Sequence, residues 1–205
     1  MSEQQVQAPN PAQASTRTAM AGFTLLELLV VIIIIAVVSA IAFPNFQIMI
    51  NNNRLAAGAN EVLAGMQYAR MEALRRNTRV VVCPSTTGTS CGGTNWSRHI
   101  AFVDTNRDGN VAANETVVRD TTVAAPAVVG VSAAISGSTP AHRITFRPDG
   151  LARPGGDRTI LAGTLQVCVA TTRPPNNARL VRLSGARVSV DPPAANAACA
   201  APANQ

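Results

Sequence analysis

From Phe23 to Phe43 the chain holds a run of 21 residues that is apolar except at Thr24, Glu27 and Ser39. A helix of that length rises about 31 Å, enough to cross the hydrocarbon core of a bilayer. Ahead of it, residues 1–22 are polar and rich in Gln, Ala and Pro, and read as a disordered leader with Arg17 as its only basic residue. Beyond Pro44 the pattern changes. Leu55, Ala59, Val62, Met66 and Ala69 recur at steps of three and four, while Asn51, Asn52, Asn53, Arg54 and Glu61 fill polar positions. That spacing predicts an amphipathic helix to about Arg76, its apolar stripe packed on a soluble domain. Pro44 should kink or loosen the helix where it leaves the membrane.

After Arg76 the pattern is that of strands separated by Gly, Pro, Asn and Asp clusters. The predicted strands are Arg79–Cys83, His99–Val103, Thr116–Arg119, Ala127–Ile135, Arg143–Arg147, Ile160–Ala170 and Ala178–Val190, the last divided at Ser184-Gly185. Arg147-Pro148-Asp149-Gly150 is a turn sequence, with proline presetting φ and glycine taking the strained position. The expected fold class is α+β: a long N-terminal helix, one half in the membrane and one amphipathic, packed on an antiparallel β-sheet head. The expected organisation is a leader over 1–22, a transmembrane helix over 23–43 and its amphipathic continuation over 44–76. A β-rich head over 77–190 and a loose Pro/Ala-rich tail over 191–205 complete it.

Composition adds three points. Aromatic residues are 3% of the chain, so the head core must be built from Val, Ala, Leu and Ile. All 17 basic residues are arginine, and eight of them lie between Arg143 and Arg187 against two acids, Asp149 and Asp157. Such a face attracts nucleic acid, acidic lipid or acidic protein, or is simply solvated. The four cysteines, Cys83, Cys91, Cys168 and Cys199, all follow the membrane segment. Their even number predicts two disulfides in an oxidising compartment. Three pairings are open. Cys83 with Cys91 is favoured because it closes a short Gly/Thr/Ser-rich loop, which leaves Cys168 with Cys199 to pin the tail.

Glu27 is the charge that does not belong. A carboxylate on a bilayer helix costs on the order of 2.5–3.5 kcal/mol and marks a functional pairing. Cutting after Gly22 would create an amine on Phe23, four residues before Glu27 and on the same helix face. That amine, or the one on a neighbouring copy, would neutralise it. Two other readings compete. Ala40-Ile41-Ala42 before Phe43 has the form of an ordinary secretory cleavage site, but the apolar run exceeds the usual 7–15-residue core and contains Glu27. A plain anchor without an assembly role is the other, less favoured, reading.

The string Gly22-Phe23-Thr24-Leu25-Leu26-Glu27 closely resembles the prepilin signature of type IV pilins and type II secretion pseudopilins. The resemblance implies that prepilin peptidase cuts after Gly22 and methylates Phe23, and that Glu27 guides subunits into a helical filament. Pro44 matches the proline that follows the buried stretch. Within that group the head resembles the GspH/FimT branch. The likeness rests on Tyr68-Ala69-Arg70-Met71-Glu72-Ala73-Leu74-Arg75-Arg76, Phe102-Val103-Asp104-Thr105-Asn106-Arg107-Asp108-Gly109, Phe146-Arg147-Pro148-Asp149-Gly150 and Ser184-Gly185-Ala186-Arg187. It implies a pilin-like fold and a minor subunit at or near the tip of a short filament.

Two motifs carry further chemistry. Asp104, Asn106, Asp108, Asn110 and Glu115, with Gly109 at the bend, fit the spacing of a calcium loop. The strand before them is wrong for an EF-hand, and a polar hairpin loop turning at Asp108-Gly109 is the favoured explanation. FimT-type subunits, by resemblance, bind DNA through Gly-Arg-x-Arg. Here Gly185 matches, but Ala186 and Val188 stand where the arginines would be, leaving Arg179, Arg182 and Arg187 as candidate DNA contacts. His99 and His142, the only histidines, fall in no nucleophile or metal motif, and phosphate-cradling glycine patterns are absent, so no enzyme and no cofactor is expected. The favoured reading is a minor pseudopilin of the type II secretion system. It would sit in the bacterial inner membrane as a single-pass protein with its head in the periplasm, among other pseudopilins. The alternative is a minor pilin that binds DNA in natural transformation.

Overall fold

A computed structural model describes residues 22–156 and 158–205. The leader expected over 1–22 therefore lies, except for Gly22, outside the described residues, as do Arg17 and Asp157. The chain divides into two units, one ending at Ala42 and one comprising Phe43–Gln205. Helix α1 covers Leu25–Arg76, with Pro44 inside it. In the first unit its apolar side chains, among them Leu25, Val30, Ile35 and Ile41, are exposed, as a lipid-facing helix requires.

The second unit is built from the amphipathic part of α1 and nine strands among the described residues. In chain order these are β1 (Arg79–Pro84), β2 (Arg98–Asp104), β3 (Val117–Thr122) and β4 (Ala127–Val131), then the single-turn helix α2 (Ala133–Ser136). There follow β5 (Ile144–Phe146), β6 (Ala152–Pro154), β7 (Ala162–Val169), β8 (Ala178–Ser184) and β9 (Arg187–Val190). They form two antiparallel sheets rather than one, in the orders β3-β2-β1-β5-β6 and β4-β7-β8-β9.

The core lies where the helix stripe meets both sheets. Leu55, Ala59, Val62, Met66, Ala69 and Ala73 join Val80, Val82, Ala101 and Val103 of the first sheet and Leu165, Val167, Val181 and Leu183 of the second. Small residues let the backbones approach closely. A Cβ on Gly58 would stand 2.8 Å from Val167 Cγ1, and one on Gly65 would stand 3.3 Å from His99 Nε2. The outer face of the first sheet has its own apolar cluster, Val81, Cys83, Ile100 and Phe102, covered by Cys91 and Val111 from loops and by Val117 of β3.

Three local expectations change. The strand expected over Ala127–Ile135 stops at Val131. Ser132 closes the ladder, donating its N–H to the Thr164 carbonyl and accepting the Thr164 N–H on its hydroxyl. The chain then turns through α2, which buries Ile135 in the core. Strand β6 was not legible: three residues ending at Pro154, tolerated because β6 is an edge. The tail over 191–205 is not loose. Ala194 bridges Ala178, Asn196 donates its N–H to Asn177 Oδ1, and the Gln205 amide reaches the Gly163 and Leu183 carbonyls at 2.8 and 3.1 Å. Its polar side chains satisfy groups on the second sheet, which composition alone does not reveal.

Candidate functional site

At the start of α1, Thr24 is the cap. Its Oγ1 accepts the Glu27 N–H at 3.2 Å and its carbonyl accepts the Leu28 N–H at 3.1 Å. Thr24-Leu25-Leu26-Glu27 is thus half of a capping box, a sequence signal that the apolar run conceals. Glu27 sits in the first helical turn, where a negative charge is favoured by the helix dipole. Gly22, Phe23 and Glu27 are all exposed, so the residues of the prepilin-like signature are accessible.

The head motifs come together. Arg70, on α1, donates to the Ala186 carbonyl in the β8–β9 turn. The Arg147-Pro148-Asp149-Gly150 turn packs against the same arginine: Gly150 has φ +75° and its Cα faces Arg70 Nε and Leu74. Gly185, at φ +57°, lies against Ile160 and Leu151, and its N–H and carbonyl bond Leu161 and Ala152. Both positions need the left-handed region that glycine adopts without penalty. Three stretches far apart in sequence therefore meet around one arginine, which has no local sequence signal of its own.

Elsewhere on α1, Arg75 donates to Glu72 through Nε at 2.6 Å and Nη2 at 2.8 Å, and Arg76 adds a longer bond at 3.4 Å. The Arg75 bond is the main reason that Glu72 is held down to about 2, against the opposing effect of its burial. Arg119 reaches from β3 to Glu61 at 2.9 Å and lies 5.5 Å from the Tyr68 ring centroid. Beneath the helix His99 is buried, with Nδ1 at 3.0 Å from the Trp96 carbonyl, and burial lowers its pKa.

Asp104, Asn106, Asp108, Asn110 and Glu115 share the loop between β2 and β3. Asp104 is buried and its carboxyl pKa is raised by that burial. Burial also pushes Glu115 upward, but the amides of Ala112, Asn106 and Thr105 outweigh it and hold the carboxyl below its usual range. Among the described residues, no three His, Cys, Asp or Glu side chains converge as a metal set.

The C-terminal arginines are not equivalent. Arg182 of β8 is ion-paired with Asp191, Arg179 is half-buried, and Arg187 is exposed on β9. Nor do the arginines from 143 onward form one free face: Arg143 is buried and Arg153 pairs with Asp149 at 2.9 Å. The cysteines are joined as Cys83–Cys91 and Cys168–Cys199. The first ties the β1–β2 connection to the first sheet, and the second ties the tail to β7.

A family model for the type II transport protein GspH matches residues 58–188, and one for the prokaryotic N-terminal methylation motif matches residues 17–43. Among solved structures, the type IV minor pilin FimU of Pseudomonas aeruginosa is similar at 18% identity with a TM-score of 0.50, over 73% of this chain and 97% of that one. The minor pseudopilin EpsH of the type 2 secretion system of Vibrio cholerae aligns at 13% identity with a TM-score of 0.47, over 68% and 98%. The likeness to FimU shows the fold. No curated relative matches the chain. With the matched region covering most of the head and the motifs converging on Arg70, the chain belongs to the GspH family and has the fold of a minor pilin.

Proposed function

We propose that this chain is a minor pseudopilin of a type II secretion system, incorporated at or near the tip of an inner-membrane-rooted fibre with its head in the periplasm. The observation that carries the reading is the capped, exposed signature Gly22-Phe23-Thr24-Leu25-Leu26-Glu27 at the head of an apolar helix. Prepilin peptidase would cut between Gly22 and Phe23 and methylate the new amine. The Glu27 carboxylate, placed one helical turn along, would then meet the Phe23 amine of its own or a neighbouring subunit. Burying that pair among packed apolar helices gives register, because displacement by even one turn leaves a charge unpaired in lipid.

Two facts favour secretion over DNA uptake. The matching family is a type II transport family. The Arg182–Asp191 ion pair also occupies one of the three arginines that a DNA contact would use.

Deleting the gene tests the reading, with restoration of type II substrate secretion by the wild-type copy and not by Glu27→Val as the expected result. Mass spectrometry of the mature protein should show N-methylated Phe23 in both. Normal secretion combined with lost DNA uptake in the deletion strain would transfer the assignment to the pilus.

A further inference from the structure

The Asp104–Glu115 loop has the oxygen spacing of a calcium loop, yet its oxygens are turned toward its own N–H groups. Glu115 Oε1 accepts the Thr105 and Asn106 amides at 2.7 and 3.3 Å, and Oε2 accepts the Ala112 amide at 3.0 Å. Asp108 accepts the Asn110 amide at 2.7 Å and the Asn106 side-chain amide at 2.9 Å. The backbone N–H groups of Gly109 and Arg107 favour the charged form of Asp104 against the effect of its burial. Asp104 Oδ1 is buried without a donor, and Asp104 lines a cavity of about 10 Å³ together with Arg79, Arg107 and Arg143. The lining carries three arginines against one acid, an excess of positive charge that disfavours a divalent cation.

The oxygens at the bend are taken from outside the loop. Arg143, only 9% exposed, donates Nε to the Gly109 carbonyl at 2.7 Å and Nη2 to Asn110 Oδ1 at 3.2 Å. Its Nη1 bonds the Ala141 carbonyl at 2.9 Å, fixing the guanidinium to the segment before β5. We propose that the cation around which this loop is built is the Arg143 guanidinium, so that the loop closes and stays closed without calcium. A planar fork with donors on two edges spans the bend and the β5 approach at once. The charges agree: the loop acids Asp104, Asp108 and Glu115 are matched by Arg79, Arg107 and Arg143, and a divalent ion would leave two positive charges in excess. Arg143 is then a positioning residue that fastens the β2–β3 loop to the far side of the first sheet.

Hydrogen exchange of the full chain in detergent micelles, read by mass spectrometry over residues 105–112, tests this. The wild-type loop should exchange at the same rate with about 5 mM Ca²⁺ or with chelator, a concentration that fills weak extracellular calcium sites. Arg143→Gln should speed exchange about 10- to 100-fold, as expected for losing hydrogen bonds from a charged donor. If that variant does not fold, Arg143→Lys keeps the charge but not the fork, and should give a smaller acceleration that calcium does not reverse. Slower wild-type exchange on adding Ca²⁺, or wild-type exchange in either variant, overturns the proposal.

Discussion

Replacing Cys168 and Cys199 together by alanine removes the bond that closes the larger of the two covalent loops. The bond spans 31 residues, against 8 for Cys83–Cys91. In the chain-entropy treatment the longer loop restricts the unfolded chain by about 12 cal/mol/K, or about 3.7 kcal/mol at 25 °C, and the shorter by about 2.5 kcal/mol. The enclosed segment contains β8 and β9, so the freed unfolded chain gains most of its freedom there. Native contacts should change less, since the tail keeps the Ala178–Ala194 bridge and the Asn196 and Gln205 hydrogen bonds. Trp96 is the one tryptophan in the sequence and is fully buried in the head, which makes it a clean probe. Urea titration of the full chain in micelles, followed by Trp96 emission, should show the midpoint falling by about 1–4 M for the Cys168/Cys199 variant, taking usual urea slopes. The Cys83→Ala/Cys91→Ala variant should lose about 1 kcal/mol less. Equal or greater loss from the short loop would refute the loop-length argument. Packing of Cys83 in the outer apolar cluster would then be the controlling term.

Two pH effects follow from the helix and the group beneath it. The Glu72 pKa lies below its unfolded value, so its stabilisation is present above about pH 4.5 and lost as pH falls toward about 2. The full shift corresponds to about 3.4 kcal/mol, but the Arg75 side chain is 66% exposed and solvent screening reduces the gain to about 1 kcal/mol. Glu72→Gln should therefore cost about 1 kcal/mol at pH 7 and flatten the acid limb of the urea midpoint; an unchanged limb would mean that other carboxylates set it. His99 also has a lowered pKa, and it is near Glu61, Arg119 and Asp120. Its neutral form is stabilised above the unfolded value near 6.5, and stability is lost as pH falls from there toward the lower folded value. The melting temperature should drop between pH 7 and pH 5, and His99→Gln should remove that slope; a wild-type curve flat over this range would count against a neutral buried imidazole.

What the sequence revealed and what it hid divide by the distance between partners. The stripe Leu55–Ala59–Val62–Met66–Ala69 is legible because helix periodicity is local, and each of those residues is buried in the core. The strands are legible where β-branched runs are bounded by breakers. Ala127–Ile135 has no breaker after Gly130, and its end at Val131 is decided by the hydroxyl of Ser132 meeting Thr164, 32 residues away. The division into two sheets likewise depends on β1 choosing β5 and β7 choosing β4, which no local window contains. The tail reads as loose from its composition because Asn196 and Gln205 find their acceptors only on the folded second sheet.

Arginines were the hardest residues to place, for a physical reason. An arginine in a sequence is expected in solvent, since a buried one must find partners for several donors. Arg70 finds the Ala186 carbonyl 116 residues away, and Arg143 finds Gly109 and Asn110 at separations of 34 and 33. Read from the loop alone, alternating oxygens with a glycine at the bend fit a metal ion, although a polar hairpin turn is the favoured reading. The same oxygens serve equally well as acceptors for amides and a guanidinium, because carboxylates and carbonyls respond to positive charge whatever carries it. The choice between ion and arginine therefore lies outside the motif, in whether a later strand delivers a cation to the bend. In this chain the segment leading into β5 does so.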